Sequence, residues 1–568
     1  MPRTGKSKRS TKQGEPAGRA PRPPRQPGPL RWFVFMGVAA LLCGIYRAFT
    51  PAVSDFGDSS ELTLVLARNG IAHPTGYPLY VLFGHVFVRL VHALGASWPE
   101  AASLWSTLGA GVALVFLALS AWTLTRVTLP DAGREVRAIA AAVPAVAFGL
   151  HPVWVLEATH AEVYTWHVAW ALLATWFFLR VVTRERPENR DLWEPFVAGL
   201  VAGAGLAHHR TSLLLLGPLA VVGFVLALRR FGLRRTGVLV AVALLGAIVP
   251  LAGYGSIAYR AFHPAEVQWP VLGPNWSDIF AHVNGREFLH YLGRFAPDPD
   301  TKDLLERWVF PAVAVGLLAL IGSALLAKRA GQCASAPLAI GAIAFATALS
   351  AGLSFAYGVP DPGTYFLMPM ALGAAGMAPL VLIGLTGERG RRAVTASVAS
   401  MTFGVLLAAV IAALCLTSLQ MAGERLRVVT ANDRIVREMW EAIPGDSAIV
   451  LWPWDAYTKL REYQVFAGEK PALYVANPAL LGYPNARRAF RERFGADPIA
   501  GLENPRIRAG SAEEESRLDA LYMDIARNVS AQTPLPVIYM DPGAGILRRL
   551  AKPAAPPPAA QQPAVPPR

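Results

Sequence analysis

The chain has 568 residues, 53% of them hydrophobic and only 16% charged, with a mean hydropathy of +0.36. That balance excludes an ordinary soluble enzyme, since apolar runs near the ~20 residues needed to cross a bilayer recur as far as position 420. The formal charge of +14 is no sign of nucleic-acid binding, because the cations sit in the N-terminal tail and in short Arg clusters between apolar runs, as the positive-inside rule requires.

Residues 1–31 are basic and Pro/Gly-rich and are expected to form a disordered cytoplasmic tail. The first span, about 32–49, has Leu42 rather than a small residue before Cys43 and no A-x-A site after it, so it is expected to stay uncleaved. Cys43, Cys333 and Cys415 are scattered and suggest neither a disulfide framework nor a metal site. With the basic tail inside, the loop from Pro51 emerges outside. Segment 78–96 carries His85, Arg89 and His92 at i, i+4 and i+7, one polar stripe of a helix, so it should lie in the interface rather than cross.

Further spans are read at about 101–125, 138–156, 165–183, 194–208, 212–228, 236–258, 308–327, 335–356, 364–386 and 393–419. If 78–96 does not cross, the Arg/Lys clusters after spans (Arg126, Arg184–Arg190, Arg229-Arg230, Lys328-Arg329, Arg389–Arg392) all fall on the cytoplasmic side. The first loop, His160–Tyr164, His208-His209-Arg210, the 259–306 loop and the Pro360-Asp361-Pro362 turn then share the other side. Residues 421–550 follow there as a small α/β unit, with strands near 448–452, 472–475 and 537–540 and a charged helix near 511–527. No G-x-G-x-x-G or Walker motif opens a helix, so no nucleotide site is expected. The Pro/Ala-rich tail 551–568 is expected to be disordered.

The predicted fold is thus an α-helical polytopic membrane protein of about eleven transmembrane helices plus an interfacial helix, residues 32–420, with a small C-terminal α/β domain outside the cytoplasm.

Three acids, Asp55, Asp58 and Glu61, stand in the first loop with His73 and Tyr77 close behind. Asp58 and Glu61 have the spacing of a helix capping box, a sufficient account of an isolated D-x-x-E. Asp55 and His73-Pro74-Thr75-Gly76-Tyr77-Pro78 lie outside that account, and carboxylates beside a membrane span are costly unless used. A sugar on a lipid phosphate carries its own leaving group and needs a base for the acceptor hydroxyl. Asp58 is the first candidate for that base, Glu61 the second and Asp55 the third.

His160, Glu162 and Tyr164 at a span end are either solvated bystanders or part of the same site. Tyr77 is equally well an interfacial aromatic. His208, His209 and Arg210 lie on the outer side against the charge trend and suit a lipid phosphate; the alternative is a snorkelling Arg with interfacial histidines. Arg260, Trp269 and Arg286 in the long loop mix cation and ring as sugar sites do, and as surface helices do. No histidine pair has H-E-x-x-H spacing, so no metal ligand is assigned; a divalent metal is compatible with the site but not required.

The run Asp58-Ser59-Ser60-Glu61 followed by Gly70-Ile71-Ala72-His73-Pro74-Thr75-Gly76-Tyr77-Pro78-Leu79-Tyr80 resembles the signature of the transmembrane O-mannosyltransferase family, of the GT-C glycosyltransferase superfamily. Ala161–Tyr164, Gly205–His209, His282–Gly285 and Pro360–Phe366 are similar too, so the resemblance covers most of 30–480. Ser60 stands where Gly is common, and the repeats of animal relatives are absent from this shorter tail. The resemblance implies a polyprenyl-phosphate-linked sugar as donor, a protein Ser/Thr hydroxyl as acceptor and a first-loop carboxylate at the centre; with the charge sorting, the expectation is a mannose-like hexose moved to protein or glycan on the periplasmic side of an inner membrane. The expected roles are then Asp58 as base, Glu61 and Glu162 shaping the field, His209, Arg210 and Arg260 on the phosphate, and Trp269 with Tyr365 beside the sugar, Asp361 nearby. The rivals are a secondary transporter, which would place binding groups at the midplane in repeated halves, and a non-catalytic envelope assembly protein.

Overall fold

The computed structural model describes residues 30–550 apart from 185–191, 294, 296, 298, 359–361, 387–392, 454–455, 504–511 and 543. The low-complexity tails and Asp361 lie outside the described residues.

Helix α1 (Leu30–Ala48) buries Phe35, Ala39, Leu42 and Tyr46, one stripe at helical spacing, and leaves Phe33, Met36 and Leu41 exposed, as a lipid-facing helix should. Two short helices follow, α2 (Asp58–Arg68) and α3 (Pro78–Ala93). At 16 residues α3 is about 24 Å long, too short to cross, and packs on α2 and α4. Helix α4 (Trp98–Thr128) starts at Ser97, whose hydroxyl accepts the Glu100 N–H, and is the most buried of the early spans.

The span expected at 138–156 is two helices, α5 (Arg134–Gly149) and α6 (Pro152–Ala158), bent by 74°. Pro152 has no N–H to give and its ring pushes His151 into the extended region (φ −72, ψ 132).

Helices α7 (Tyr164–Val182), α8 (Trp193–His208) and α9 (Ser212–Leu251) come next. Gly232 divides α9, with φ 72 and ψ 173. A Cβ at Gly199 would meet the Ala243 backbone and one at Gly203 the Ala247 backbone, and Tyr254 bonds the Leu206 carbonyl. The paired numbers rise together, so α8 runs parallel to the second half of α9. The chain therefore turns back at Gly232, and the expected spans at 212–228 and 236–258 are separate.

Helices α10 (Tyr254–Phe262) and α11 (Trp276–Val283) cover the outer end. A short helix α12 (Pro299–Leu304) enters α13 (Phe310–Ala330), then α14 (Ala336–Phe355), α15 (Leu367–Thr386) and α16 (Ala393–Ala442). Among the described residues eight helices are long and apolar enough to cross a bilayer, nine with the bent pair. Dividing α9 adds one, so ten of the expected eleven spans are met by length; α8, expected as a span at 194–208, has only 16 residues.

One end gathers cations: Arg31 and Arg137 lie over the Trp122 ring at 5.5 and 5.7 Å, and Arg126 and Arg180 act on Arg31. The acids and histidines of the first loop lie at the other.

Helix α16 does not stop at the expected boundary near 420 but continues to Ala442, because no proline interrupts it. Beyond it lie α17 (Ala456–Ala467), α18 (Pro484–Phe494) and α19 (Ala512–Gln532) around a four-stranded sheet of order β2-β1-β3-β4. Strands β1 (Ile449–Leu451), β2 (Tyr474–Ala476) and β3 (Val537–Asp541) are parallel; β4 (Ile546–Leu550), absent from the sequence reading, pairs antiparallel with β3. Ile449, Phe490, Tyr522, Ile525 and Tyr539 fill its core.

Candidate active site

Gly57 begins the site. Its φ of 73 with ψ −144 is a conformation that a Cβ resists, and it occupies the N-cap of α2 with no side-chain cap. Asp58 is thereby the first helical residue rather than the cap, and the capping box does not form. Its carboxylate, 48% exposed, stands at the helix N-terminus, where the backbone dipoles favour negative charge. Glu61, one turn on, points inward and accepts the His73 backbone N–H at 2.6 Å.

The His73 ring lies between partners that settle its protonation. Its Nδ1 is 3.1 Å from Glu61 Oε2, an acceptor, and its Nε2 is 3.0 Å from Tyr77 Oη. Tyr77 uses its hydroxyl hydrogen on the Pro74 carbonyl at 3.2 Å, so toward His73 it accepts. Both ring nitrogens then donate, which only the imidazolium does. Burial alone would lower the His73 pKa, but the Asp58 and Glu61 charges outweigh it and raise it to about 10. Asp58 Oδ2 lies 3.7 Å from Nε2, beyond hydrogen-bond range. Two carboxylates thus face one cation, and Glu61 holds it more closely.

Aromatic rings enclose this group. Trp269 and Phe288 meet His73 edge-on at 6.0 Å, and Trp269 Nε1 donates to Glu287 at 3.1 Å. Burial pushes Glu287 up to about 7, against that hydrogen bond. Tyr77 stacks on His209 at 6.0 Å, His209 lies 5.9 Å from Tyr164 and 6.1 Å from Tyr365, and Tyr164 meets Tyr365 at 5.5 Å. Glu162 is buried behind them, and Ser106 holds its backbone on both sides. Burial, then the charges of Asp58 and Glu157, raise its carboxyl well above the usual range, against His73 and the Val163 N–H that it accepts at 3.1 Å.

Other sequence candidates are placed elsewhere. Asp55 accepts from Arg425 Nε at 2.9 Å and Nη2 at 2.6 Å. Burial would raise its pKa, but Arg425 lowers it, so this carboxylate is committed to an ion pair. His160 bonds the Leu156 carbonyl beside that pair; burial and then Arg425 lower it to about 3. His208 bonds the Val163 carbonyl at 3.1 Å. Arg210 donates twice to the Val283 carbonyl, at 3.0 and 2.8 Å, and lies over Tyr254 at 5.5 Å, tying the α8–α9 turn to α11. Arg260 is half-buried on α10 and Arg286 is exposed after Gly285.

Sequence reasoning missed Arg425, Thr458, Lys459 and Glu462, which dock the C-terminal unit on the first loop. Thr458 bonds Ser60, Ser54 donates to Glu462 at 2.6 Å, and Lys459 donates to the Ser54 carbonyl at 2.8 Å. No local pattern marks partners some 400 residues apart.

Asp58, Glu61 and His73 each offer one ligand atom within 4.8 Å of the others. A cation there would need His73 to give up a proton, which its hydrogen bonds oppose.

Residues 58–230 match the family model described as the N-terminal domain of protein O-mannosyl-transferase TMEM260. A curated relative, protein O-mannosyl-transferase tmem260 of Dictyostelium discoideum, is 33% identical over 84 residues, 14% of this chain and 10% of that protein. The match thus spans about a tenth of that relative's length. Among solved structures, ArnT of Cupriavidus metallidurans bound to undecaprenyl phosphate is similar with a TM-score of 0.47 and 13% identity, over 77% of this chain and 85% of that one. The archaeal oligosaccharyltransferase AglB of Archaeoglobus fulgidus, in complex with an inhibitory peptide and a dolichol-phosphate, is similar with a TM-score of 0.46 and 12% identity, over 92% and 74%. The O-mannosyltransferase resemblance read from the first loop is borne out over residues 58–230.

Proposed function

We propose that this multi-pass membrane protein is a GT-C-type enzyme that moves a mannose-like hexose from a polyprenyl-phosphate donor to a hydroxyl, of protein Ser/Thr, on the periplasmic side of an inner membrane. The observation that carries the reading is the half-exposed Asp58 carboxylate, 3.7 Å from an imidazolium that Glu61 holds by a hydrogen bond, in a ring-lined site at one end of the spans.

Asp58 takes the proton as the acceptor oxygen attacks the anomeric carbon; the bond from that carbon to the lipid phosphate oxygen breaks, and the phosphate leaves with the electron pair. Attack opposite the leaving group inverts the anomeric centre. Glu61 fixes His73 rather than acting as base. Glu162, whose carboxyl burial shifts toward the protonated form, faces the sugar hydroxyls. His209 and the part of Arg210 not used on Val283 face the phosphate, and Trp269 and Tyr365 flank the sugar.

The test is sugar transfer from a polyprenyl-phosphate hexose in membranes carrying Asp58→Asn. A fall of about 10²- to 10⁴-fold is expected for loss of the base. Full activity in that variant discards the assignment.

A further inference from the structure

A cavity of about 380 Å³ opens beside Glu61, between the first loop and the C-terminal unit, and the mechanism above gives no role to its C-terminal wall. One wall is the first loop with the 266–270 segment, including Glu61 and Trp269. The other belongs to the C-terminal unit and includes Arg461, Val475 and Arg493. Glu61 thus lines both this cavity and the His73 cluster.

Two features of the second wall point to a polypeptide. Strand β2 is the outer strand of the sheet and pairs only with β1. The Tyr474 N–H bonds the Ala448 carbonyl and the Trp452 N–H bonds the Ala476 carbonyl. In a parallel ladder that turns residues 474 and 476 toward β1 and the Val475 N–H and C=O outward. Such an edge is a template for an added extended chain. The wall also carries two cations: Arg461 donates to the Gln464 side-chain oxygen at 2.7 Å, and Arg493 lies over the Tyr474 ring at 5.0 Å. Among the described residues neither sits in a salt bridge; Glu266 of the facing wall acts on Arg461 but pairs with Arg68 at 3.6 Å.

We propose that this cavity is an acceptor groove that takes an extended polypeptide along β2, an acidic side chain near the target hydroxyl meeting Arg461 and Arg493. The fate of the hydroxyl rests on the transferase reading; the groove itself is tested by binding. The same arginines would attract a lipid phosphate, but they stand on α17 and α18 of the soluble unit rather than on a span, which favours the peptide.

Full-length protein in nanodiscs of neutral phospholipid is titrated with fluorescent peptides holding one serine flanked by Asp, by Asn or by Lys. The Asp peptide should bind about tenfold tighter than the Asn peptide, the effect of one charge-assisted contact, and the Lys peptide should bind weakest. N-methylation of alternate peptide nitrogens should weaken binding. Arg461→Gln with Arg493→Gln should abolish the Asp preference and keep Asn-peptide binding, and Lys at both positions should restore the preference, which separates lost charge from lost fold. Equal affinity for all three peptides, or a preference that survives the double Gln variant, overturns the proposal. Displacement of the Asp peptide by polyprenyl phosphate alone also overturns it. Failure of the transferase reading looks different: the peptide preference holds while wild-type membranes move no sugar.

Discussion

At the scale of the residue, His73 makes a prediction with a definite sign. Its ordinary pKa is near 6.5 and in the folded site about 10, so between those values the native state holds a proton that the unfolded chain has released. The stability this ion pair contributes is complete below about pH 6.5 and is lost as pH rises toward about 10. Melting temperatures in nanodiscs should therefore fall steadily from pH 7 to 10, and His73→Gln should lack that slope; equal slopes would mean that the ring is neutral. Asp55 and Asp58 should separate by a second measurement. Asp55→Asn leaves Arg425 half-paired and should cost roughly 1.5–3 kcal/mol of stability with a modest effect on transfer. Asp58→Asn should do the reverse, and an Asp55→Asn enzyme that is stable but inactive would promote Asp55 to the chemistry. The sequence could only rank the three acids; a guanidinium 370 residues downstream commits Asp55, and His73 commits Glu61.

Among the elements, the start of α2 depends on one backbone conformation. Gly57→Ala at φ 73 and ψ −144 should cost about 1–3 kcal/mol and shift the first turn that carries Asp58, so transfer should fall more than thermal stability does. Wild-type rates in a folded Gly57→Ala protein would show that the turn tolerates a Cβ. The α8–α9 packing is as strict: a Cβ at Gly199 would lie 1.8 Å from the Ala243 carbonyl oxygen, so Gly199→Val should lower the yield of folded protein. Most of the spans were legible because a lipid-facing helix must be apolar over its whole length, whereas their number was not, since α8 is only 16 residues long. The bend before α6 had a visible cause in Pro152. Strand β4 did not, because Arg548 and Arg549 interrupt the alternation, and its pairing is fixed by β3 rather than by its own pattern.

For the whole molecule, the sorting of cations to one end and acids to the other could be read from loop charges, but the clasp that closes the acidic end could not. Lys459 and Glu462 stand at i, i+3 on a helix of mixed polarity, the spacing of an ordinary solvated pair. In the fold Lys459 is only 2% exposed and joins three segments: it donates to the Ser54 carbonyl of the first loop, pairs with Asp433 of α16 at 2.8 Å and faces Glu462 at 3.5 Å. Removing one member of a buried ionic group leaves the others uncompensated, so Lys459→Met should destabilise by about 3–5 kcal/mol. Burial already pushes Glu462 up to about 7, and without the lysine its anion is harder still to hold. A protonated Glu462 is tolerated, so the Lys459→Met deficit should shrink as pH falls from 8 to 6, and Glu462→Gln in the same chain should remove that dependence. Hydrogen exchange over 421–550 and over the first loop reads the outcome directly. Ser54 lies four residues before Asp58, so loosening the clasp should raise exchange in both segments together. If only the C-terminal unit loosens, the loop holds the catalytic carboxylate by itself, and the unit's part in the reaction narrows to its wall of the groove.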